Sequence, residues 1–160
     1  MRVLQISSEA TPFAKTGGLA DVAGALPDSL GRAGCTCTLV VPAYREVFEK
    51  NLPIQKKNIQ FSVPVGKKIL EAIVYSCELP NQKHSVFLVG NKHCFDRDTL
   101  YGGAEDYADN AERFIFFSRA ALELAARQPD PFDIIHCHDW QTSLVPAYQK
   151  LLYKSWPTLS

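Results

Sequence analysis

Lys15-Thr16-Gly17-Gly18-Leu19-Ala20-Asp21-Val22 stands between a strand-like apolar run at residues 3–7 and a helix-like run at residues 18–32. A strand that feeds a helix through a short loop is the building unit of an open α/β sheet. The carboxyl end of such a strand, facing a helix N-terminus, is where these sheets bind anionic ligands. Two adjacent glycines let the backbone come close to a phosphate and turn their N–H groups toward it, while Lys15 adds a full positive charge. On spacing alone the stretch fits a plain strand-to-helix turn with a solvated lysine equally well.

Outward from that loop the chain alternates strand and helix. Residues 18–32 carry Leu19, Val22, Ala23, Leu26 and Leu30 at three-and-four spacing, which is one helix face. Pro27 inside this pattern predicts a bend or a local break, and Gly34 a C-cap. Residues 35–41 are nearly all apolar or β-branched, the mark of a strand buried on both faces. Pro42 closes it, and residues 43–49 suit a short helix. Residues 59–65 and 68–75 are strand-like around the turn Gly66-Lys67, and residues 85–89 make a further strand. Consecutive strands without a helix between them predict an antiparallel insertion at one edge of a parallel sheet. Residues 91–103 are polar and read as a surface loop.

Residues 104–127 give the longest helical signal. Ala111, Phe114, Ile115, Ser118, Ala121, Leu122 and Ala125 trace one side, and Gln128-Pro129-Asp130-Pro131 stops it. Residues 133–137 form a strand that leaves through His138-Asp139-Trp140. Residues 142–153 suit a helix with Pro146 near its first turn, and residues 156–160 read as the start of another strand. The sum is an α/β fold: a Rossmann-like, doubly wound, mostly parallel sheet with an antiparallel β-hairpin insertion. A compact domain rarely stops at the first residues of a strand, so the expectation is part of a longer protein.

Composition narrows the function. The 160 residues are 46% hydrophobic and 21% charged, ordinary for one globular domain. Seventeen basic and seventeen acidic residues balance to zero, which argues against a nucleic-acid partner. No apolar run approaches the roughly 20 residues that span a bilayer, so no membrane partner is expected. Met1-Arg2 leads straight into a core strand with no signal peptide, which predicts a cytoplasmic protein. Five cysteines, at 35, 37, 77, 94 and 137, are an odd number with no CxxC pair. Reduced thiols in a cytosolic protein are the expectation.

Two further clusters carry chemistry. His136-Cys137-His138-Asp139-Trp140 lies at the carboxyl end of a strand, on the same sheet edge as the lysine–glycine loop if the strands are parallel. Both histidines then face one way. A His-x-His pair is a possible start for a metal site, but no second ligand cluster is visible in the sequence. A catalytic His–Asp pair lacks an obvious nucleophile. Sugar binding fits better: Asp139 offers acceptor oxygens for hydroxyls, and Trp140 a flat apolar face. The second cluster is Phe95-Asp96-Arg97, Leu100-Tyr101-Gly102 and Asp109-Asn110-Ala111-Glu112-Arg113-Phe114. By pattern alone, Asp109 and Asn110 cap a helix and Glu112-Arg113 form a solvated face. Glu9, between the first strand and Lys15, is either an acceptor for a sugar hydroxyl or a solvated loop residue. His84 and His93 sit in polar loops and read as surface residues.

The Lys15-to-Val22 run resembles the N-terminal signature of bacterial glycogen synthases and plant starch synthases. The HxHDW element at residues 136–140 and the FDR…YG…DNAERF series at residues 95–114 are similar to the same family, although Asp98-Thr99 replaces its frequent Pro-Gly. The resemblance implies the N-terminal half of a GT-B architecture, two Rossmann-like domains around a cleft. Residues 1–160 would then be the N-terminal starch/glycogen synthase catalytic domain, ending before its last elements, ahead of the strand that carries the family's TxHN histidine. The C-terminal nucleotide-sugar domain would be absent. It implies glucosyl transfer from ADP-glucose to the non-reducing end of an α-1,4-glucan, without cofactor or metal, in the cytoplasm or, in a plant, the plastid. Asp139 would be the catalytic residue, and Lys15, Gly17, Gly18, Tyr101, His138 and Glu9 substrate contacts. The fragment alone would be inactive. A binding module for glucan or nucleotide, without catalysis, is the alternative.

Overall fold

The computed structural model describes residues 1–80 and 82–156. Its elements run β1 (Arg2–Ile6), α1 (Gly18–Arg32), β2 (Thr36–Pro42), α2 (Arg45–Glu49), β3 (Ile54–Val65), β4 (Lys68–Cys77), β5 (Ser85–Gly90) and α3 (Lys92–Phe95). Then follow α4 (Asn110–Ala126), β6 (Ile134–Cys137), a 3-10 turn at Trp140–Thr142 and α5 (Val145–Leu152). One sheet takes the order β3-β4-β5-β2-β1-β6. The pairs β1–β2, β1–β6 and β2–β5 are parallel, whereas β3–β4 and β4–β5 are antiparallel. The hairpin therefore extends one edge of a parallel sheet, as the run of strands without helices predicts. Six consecutive residues of β2, Cys37 to Pro42, are buried, so the strand is covered on both faces. Parallel strands joined by helical crossovers are normally buried in this way.

Pro27 departs from expectation: α1 continues through it. Proline removes the N–H that would bond to the carbonyl four residues back. That carbonyl, Ala23 O, instead accepts from Gln5 Nε2 of β1 at 2.8 Å. The sheet supplies the donor the helix lacks, and Pro27 can be buried without leaving an orphan acceptor. The loop ahead of α1 is pinned to the helix as well. Thr11 N donates to Ala20 O at 2.9 Å, and a Cβ on Gly24 would stand 2.3 Å from Thr11 Oγ1 and 2.6 Å from Thr11 O. Only glycine allows that approach.

The middle of the chain holds the other differences. β3 begins at Ile54, not 59, because its exposed Gln55, Lys56 and Lys57 hide the strand from a hydrophobic pattern. Within residues 91–103, α3 forms around Asn91, whose Oδ1 accepts from Cys94 N at 3.1 Å. The helix expected from residue 104 starts at Asn110. Before it, Gly102 at φ 143 turns the chain so closely that a Cβ would meet Glu105 O at 2.2 Å. α4 buries residues around most of its circumference, Arg113 included. Only Glu112 of the expected solvated pair faces outward, ion-paired to Lys68 at 2.7 Å. His84 is also buried: its side chain is 2% exposed, with Nδ1 2.9 Å from Asp28 Oδ1. The strand expected at residues 156–160 falls mostly outside the described residues; Trp156 packs edge-on to Tyr153 at 5.3 Å. All five cysteines are free. Among the described residues no helix is long and apolar enough to cross a membrane.

Candidate functional site

Parallel strands place their carboxyl ends on one edge, and β1 and β6 are neighbours there. The backbone past each strand continues the pairing for one more step: Ser7 N donates to Val40 O at 3.1 Å, and His138 N to Ile6 O at 3.1 Å. Two chain segments thereby emerge side by side, Ser8-Glu9 from β1 and His138-Asp139 from β6.

Glu9 organises the first lip. It is 3% exposed, and its carboxylate accepts from Thr16 N at 2.5 Å, Thr16 Oγ1 at 2.7 Å, Gly17 N at 3.3 Å and Tyr101 Oη at 2.7 Å. Neither sequence reading of Glu9 describes this. It is not solvated, and its acceptor capacity is taken up by the loop. A carboxylate fits here because the loop amides form an anion-binding concavity next to the N-terminus of α1. Burial opposes its charge, but the bonds from the Thr16 hydroxyl, Tyr101 and the two amides outweigh it and hold its pKa below the ordinary 4.5.

Tyr101 reaches the same lip from the loop ahead of α4. Its hydroxyl also lies 2.9 Å from Ser8 Oγ. Its carbonyl accepts from Asn110 Nδ2 at 2.7 Å and from Tyr107 N at 2.8 Å. Burial is the main cause that raises its pKa, with the bond to Glu9 and the charges of Glu9 and Asp139 adding to it. The ring stands 5.7 Å from Phe114 and 6.4 Å from Trp140, and Trp140 meets Phe114 edge-on at 5.2 Å. Tyr101 thus joins the two lips.

Lys15 and the two glycines stand at the surface of the same loop. The Lys15 ammonium lies 2.7 Å from both carboxylate oxygens of Asp21, a surface pair with each side chain about half exposed. Gly17 is the N-cap of α1 and offers no side-chain cap, so the helix's first amides keep no acceptor of their own. Neither Gly17 nor Gly18 has a positive φ, and a Cβ on either would meet nothing within 4 Å.

The second lip is strained. Asp139 sits at φ 61 and ψ −176, a region that is essentially restricted to glycine. One carboxylate oxygen accepts from Trp140 N at 2.7 Å, and Thr142 Oγ1 donates to His138 O at 2.7 Å. The His136 and His138 rings stack at 4.3 Å, as a shared face requires. His138 Nε2 is buried without a hydrogen-bond partner. Burial, then the neighbouring His136, lowers the pKa of His138 below the ordinary 6.5. Among the described residues no group of three or more His, Cys, Asp or Glu side chains is placed to hold a metal ion.

These shifts predict the acid limb of stability. A histidine with a lowered folded pKa costs stability as pH falls from about 6.5 toward its folded value. Glu9, and Asp109 lowered chiefly by its bond to Arg97, add stability that is whole above their ordinary values and lost as pH falls through the folded ones. Thermal unfolding against pH should show a first decline below about 6.5 and a steeper one below about 4. His138→Gln should remove the first, and Glu9→Gln should flatten the second.

Ser8 lies outside every motif quoted above, and Thr16, Asn110 and Phe114, although inside them, carry no sequence cue to the contacts they make here. They enter through contacts between segments that lie far apart in the chain.

The starch synthase catalytic domain profile matches residues 2–160. Glycogen synthase 2 of Geobacter metallireducens is 43% identical over 151 residues, covering 94% of this chain and 31% of that protein. The glycogen synthase of Rhodopirellula baltica is 40% identical over 157 residues, covering 92% and 31%. Among solved structures, the catalytic domain of Starch Synthase IV from Arabidopsis thaliana, bound to ADP and acarbose, superposes with a TM-score of 0.84. It is 31% identical, covering 98% of this chain and 32% of that one. The chain spans about a third of the length of these relatives. With the mixed sheet and the loop at Lys15 to Val22 in place, the profile match over nearly every residue decides the matter: the chain belongs to the starch synthase catalytic domain family.

Proposed function

We propose that this chain is the N-terminal, acceptor-side half of a retaining glucosyltransferase that moves glucose from ADP-glucose to the non-reducing end of an α-1,4-glucan. A C-terminal nucleotide-sugar domain completes it, and the reaction proceeds in the cytoplasm, or in a plastid if the source is a plant. The observation that carries the reading is at Gly17 and Gly18. The fold leaves open space at both Cβ positions and needs no unusual φ, so sterics within the fold do not demand glycine at either. Glycine is required if a ligand lies against the backbone. The relative bound to ADP and acarbose supports both substrate classes.

The chemistry needs cations and preorganised donors at a departing diphosphate, and stabilisation of an oxocarbenium-like sugar. Lys15 and the first amides of α1, from Gly18 onward, serve the first need. Asp139 serves the second as the catalytic carboxylate, with Trp140 as an apolar wall and His138 packed beside it at the end of β6. Glu9 acts through the loop: it holds Thr16 and Gly17 in place and ties them to Tyr101.

The test joins the chain to the remaining two-thirds of the Geobacter metallireducens relative and follows ADP release with glycogen present. The chimera should turn over, and the 160 residues alone should not. Gly17→Ala and Gly18→Ala should keep the chain's thermal stability while weakening ADP-glucose use by about tenfold, 1.4 kcal/mol. Equal turnover by the isolated chain would overturn the reading. A chimera that binds both substrates without transfer would favour a binding module.

A further inference from the structure

A cavity of about 540 Å³ lies at the opposite edge of the sheet from the candidate site, within the ~300–1,000 Å³ range of small-molecule sites. β5 runs parallel to β2, and β2 to β1, so the start of β5 at Ser85 marks the edge away from the two lips. One face of the sheet lines the cavity. Ser76 and Phe87 are partners across β4 and β5, and Ser85, two residues before Phe87, shares their side. β3 joins them through a bulge. Lys56 pairs with Tyr75 and Gln60 with Ile73, so β3 takes four steps where β4 takes two. Such irregularities re-aim side chains and are frequent beside functional sites. Here the bulged segment brings Lys57 and Ile59 to the cavity. The end of α4 adds Arg127 and Gln128, and the loop before β5 adds Lys83 and His84. His84 is anchored to Asp28 of α1, which braces this wall against the helix that carries the first lip.

Charge selects the ligand. Lys57, Lys83 and Arg127 come from three different elements, against Glu78 as the one carboxylate among the described lining residues. Arg127 is already engaged, with Nη1 donating to Glu123 Oε2 at 2.5 Å. Lys57 and Lys83 have no ion pair among the described residues, and both are exposed, so their ammonium groups can turn onto a ligand. Setting Glu78 against one of them still leaves a cationic excess. The carbonyl end of a helix would oppose an anion, but that of α4 is capped. Arg127 N donates to Leu124 O at 3.2 Å, Gln128 N to Ala125 O at 3.0 Å, and Gln128 Nε2 to Leu124 O at 3.2 Å. Beyond the charges, the Ser76 and Ser85 hydroxyls stand beside the apolar Ile59 and Phe87. That lining suits a body larger than a bare anion and bearing hydroxyls of its own.

We propose that this cavity binds a small phosphorylated metabolite, with Lys57 and Lys83 on the phosphoryl group and the serine hydroxyls and Glu78 on the hydroxyls of its body. Two ammonium groups from separate segments suit a dianion, because each can approach a different oxygen. The site is independent of glucosyl transfer: it shares no residue with either lip.

Titration of the ¹⁵N-labelled chain with ribose 5-phosphate, at about 0.15 M salt to screen diffuse attraction, tests this through amide shifts. Saturable shifts are expected at Ser76, Lys83, Ser85 and Gln128, weaker ones with inorganic phosphate, and none with ribose. Lys57→Gln and Lys83→Gln together should weaken binding by about tenfold or more, with spectra otherwise unchanged. Lys56→Gln removes the same charge from an exposed neighbour outside the cavity and should change affinity by less than about twofold. Glu78→Gln should tighten binding. Shifts confined to Lys15, Gly17 and Gly18 would assign the phosphoryl group to the first lip and overturn the second site. An equal loss in the Lys56 variant would reduce the binding to surface charge and overturn it as well. Inorganic phosphate binding as tightly as ribose 5-phosphate would overturn the metabolite body, and no shift at the cavity would overturn the whole.

Discussion

Arg113→Lys should destabilise the protein by about 3–5 kcal/mol, more than Arg113→Met, although lysine is the closer relative in charge. Arg113 is 0% exposed. Its Nε donates to Cys94 O and its Nη1 to Asn110 Oδ1, each at 2.6 Å. Its guanidinium lies 5.1 Å from the Tyr107 ring centre and 5.3 Å from that of Phe114. Burial lowers its pKa, and among the described residues no carboxylate pairs with it directly, the charge of Asp109 offsetting the cost only in part. Methionine removes the charge together with its donors. The loss is then two orphaned acceptors, about 2–3 kcal/mol in sum, offset in part by the desolvation no longer paid. Lysine keeps a buried cation but cannot reach both acceptors from one ammonium, so the full penalty stays. Urea unfolding at unchanged m-value gives the comparison. In a total stability of about 5–15 kcal/mol, the lysine variant loses a large fraction. A lysine variant more stable than the methionine one would show that the charge, not the fork, is what the core needs. Both variants also loosen Asn110, which holds Tyr101 O, so the site should feel the change.

Arg113 also illustrates what sequence patterns can carry. Glu112 and Arg113 are neighbours of similar polarity, yet one faces Lys68 at the surface and the other is sealed among aromatic rings. Successive helix residues point about 100° apart, and a helix covered on most sides erases the polar face on which such readings depend. β2, by contrast, was legible because its cue is local: a continuous apolar run is what burial on both faces demands. Pro27 misled because the donor that rescues its helix, Gln5 Nε2, lies on another strand. The site divides in the same way. The glycines of the first loop and the His-Asp-Trp string announce themselves by position at strand ends. The bond between Tyr101 and Glu9 joins residues 92 apart, and no spacing rule reaches that far. Only the likeness to family motifs singles out Tyr101 in advance.

Asp139→Gly should stabilise the fold and cripple transfer, two effects of opposite sign at one residue. At φ 61 and ψ −176 the aspartate sits where side chains other than glycine's cost about 1–3 kcal/mol. Glycine relieves that strain. It gives back about 1 kcal/mol through the freer unfolded chain, and a few tenths through the lost bond to Trp140 N, which lies at an exposed turn. The balance is a gain of about 1 kcal/mol, or a rise of about 2–4 °C in Tm for a domain of this size. Asp139→Asn keeps the acceptor to Trp140 N and tolerates the positive φ better than most residues, so its Tm should hardly move. Both variants lose the carboxylate charge. In the chimera with the C-terminal domain, kcat should fall by about 10²–10³-fold for either, the scale of removing one preorganised electrostatic contact. Strain kept at a residue whose backbone would be more stable as glycine points to a side chain retained for its chemistry. A glycine variant that lost stability would place the cause in packing. A fully active asparagine variant would move the catalytic charge elsewhere.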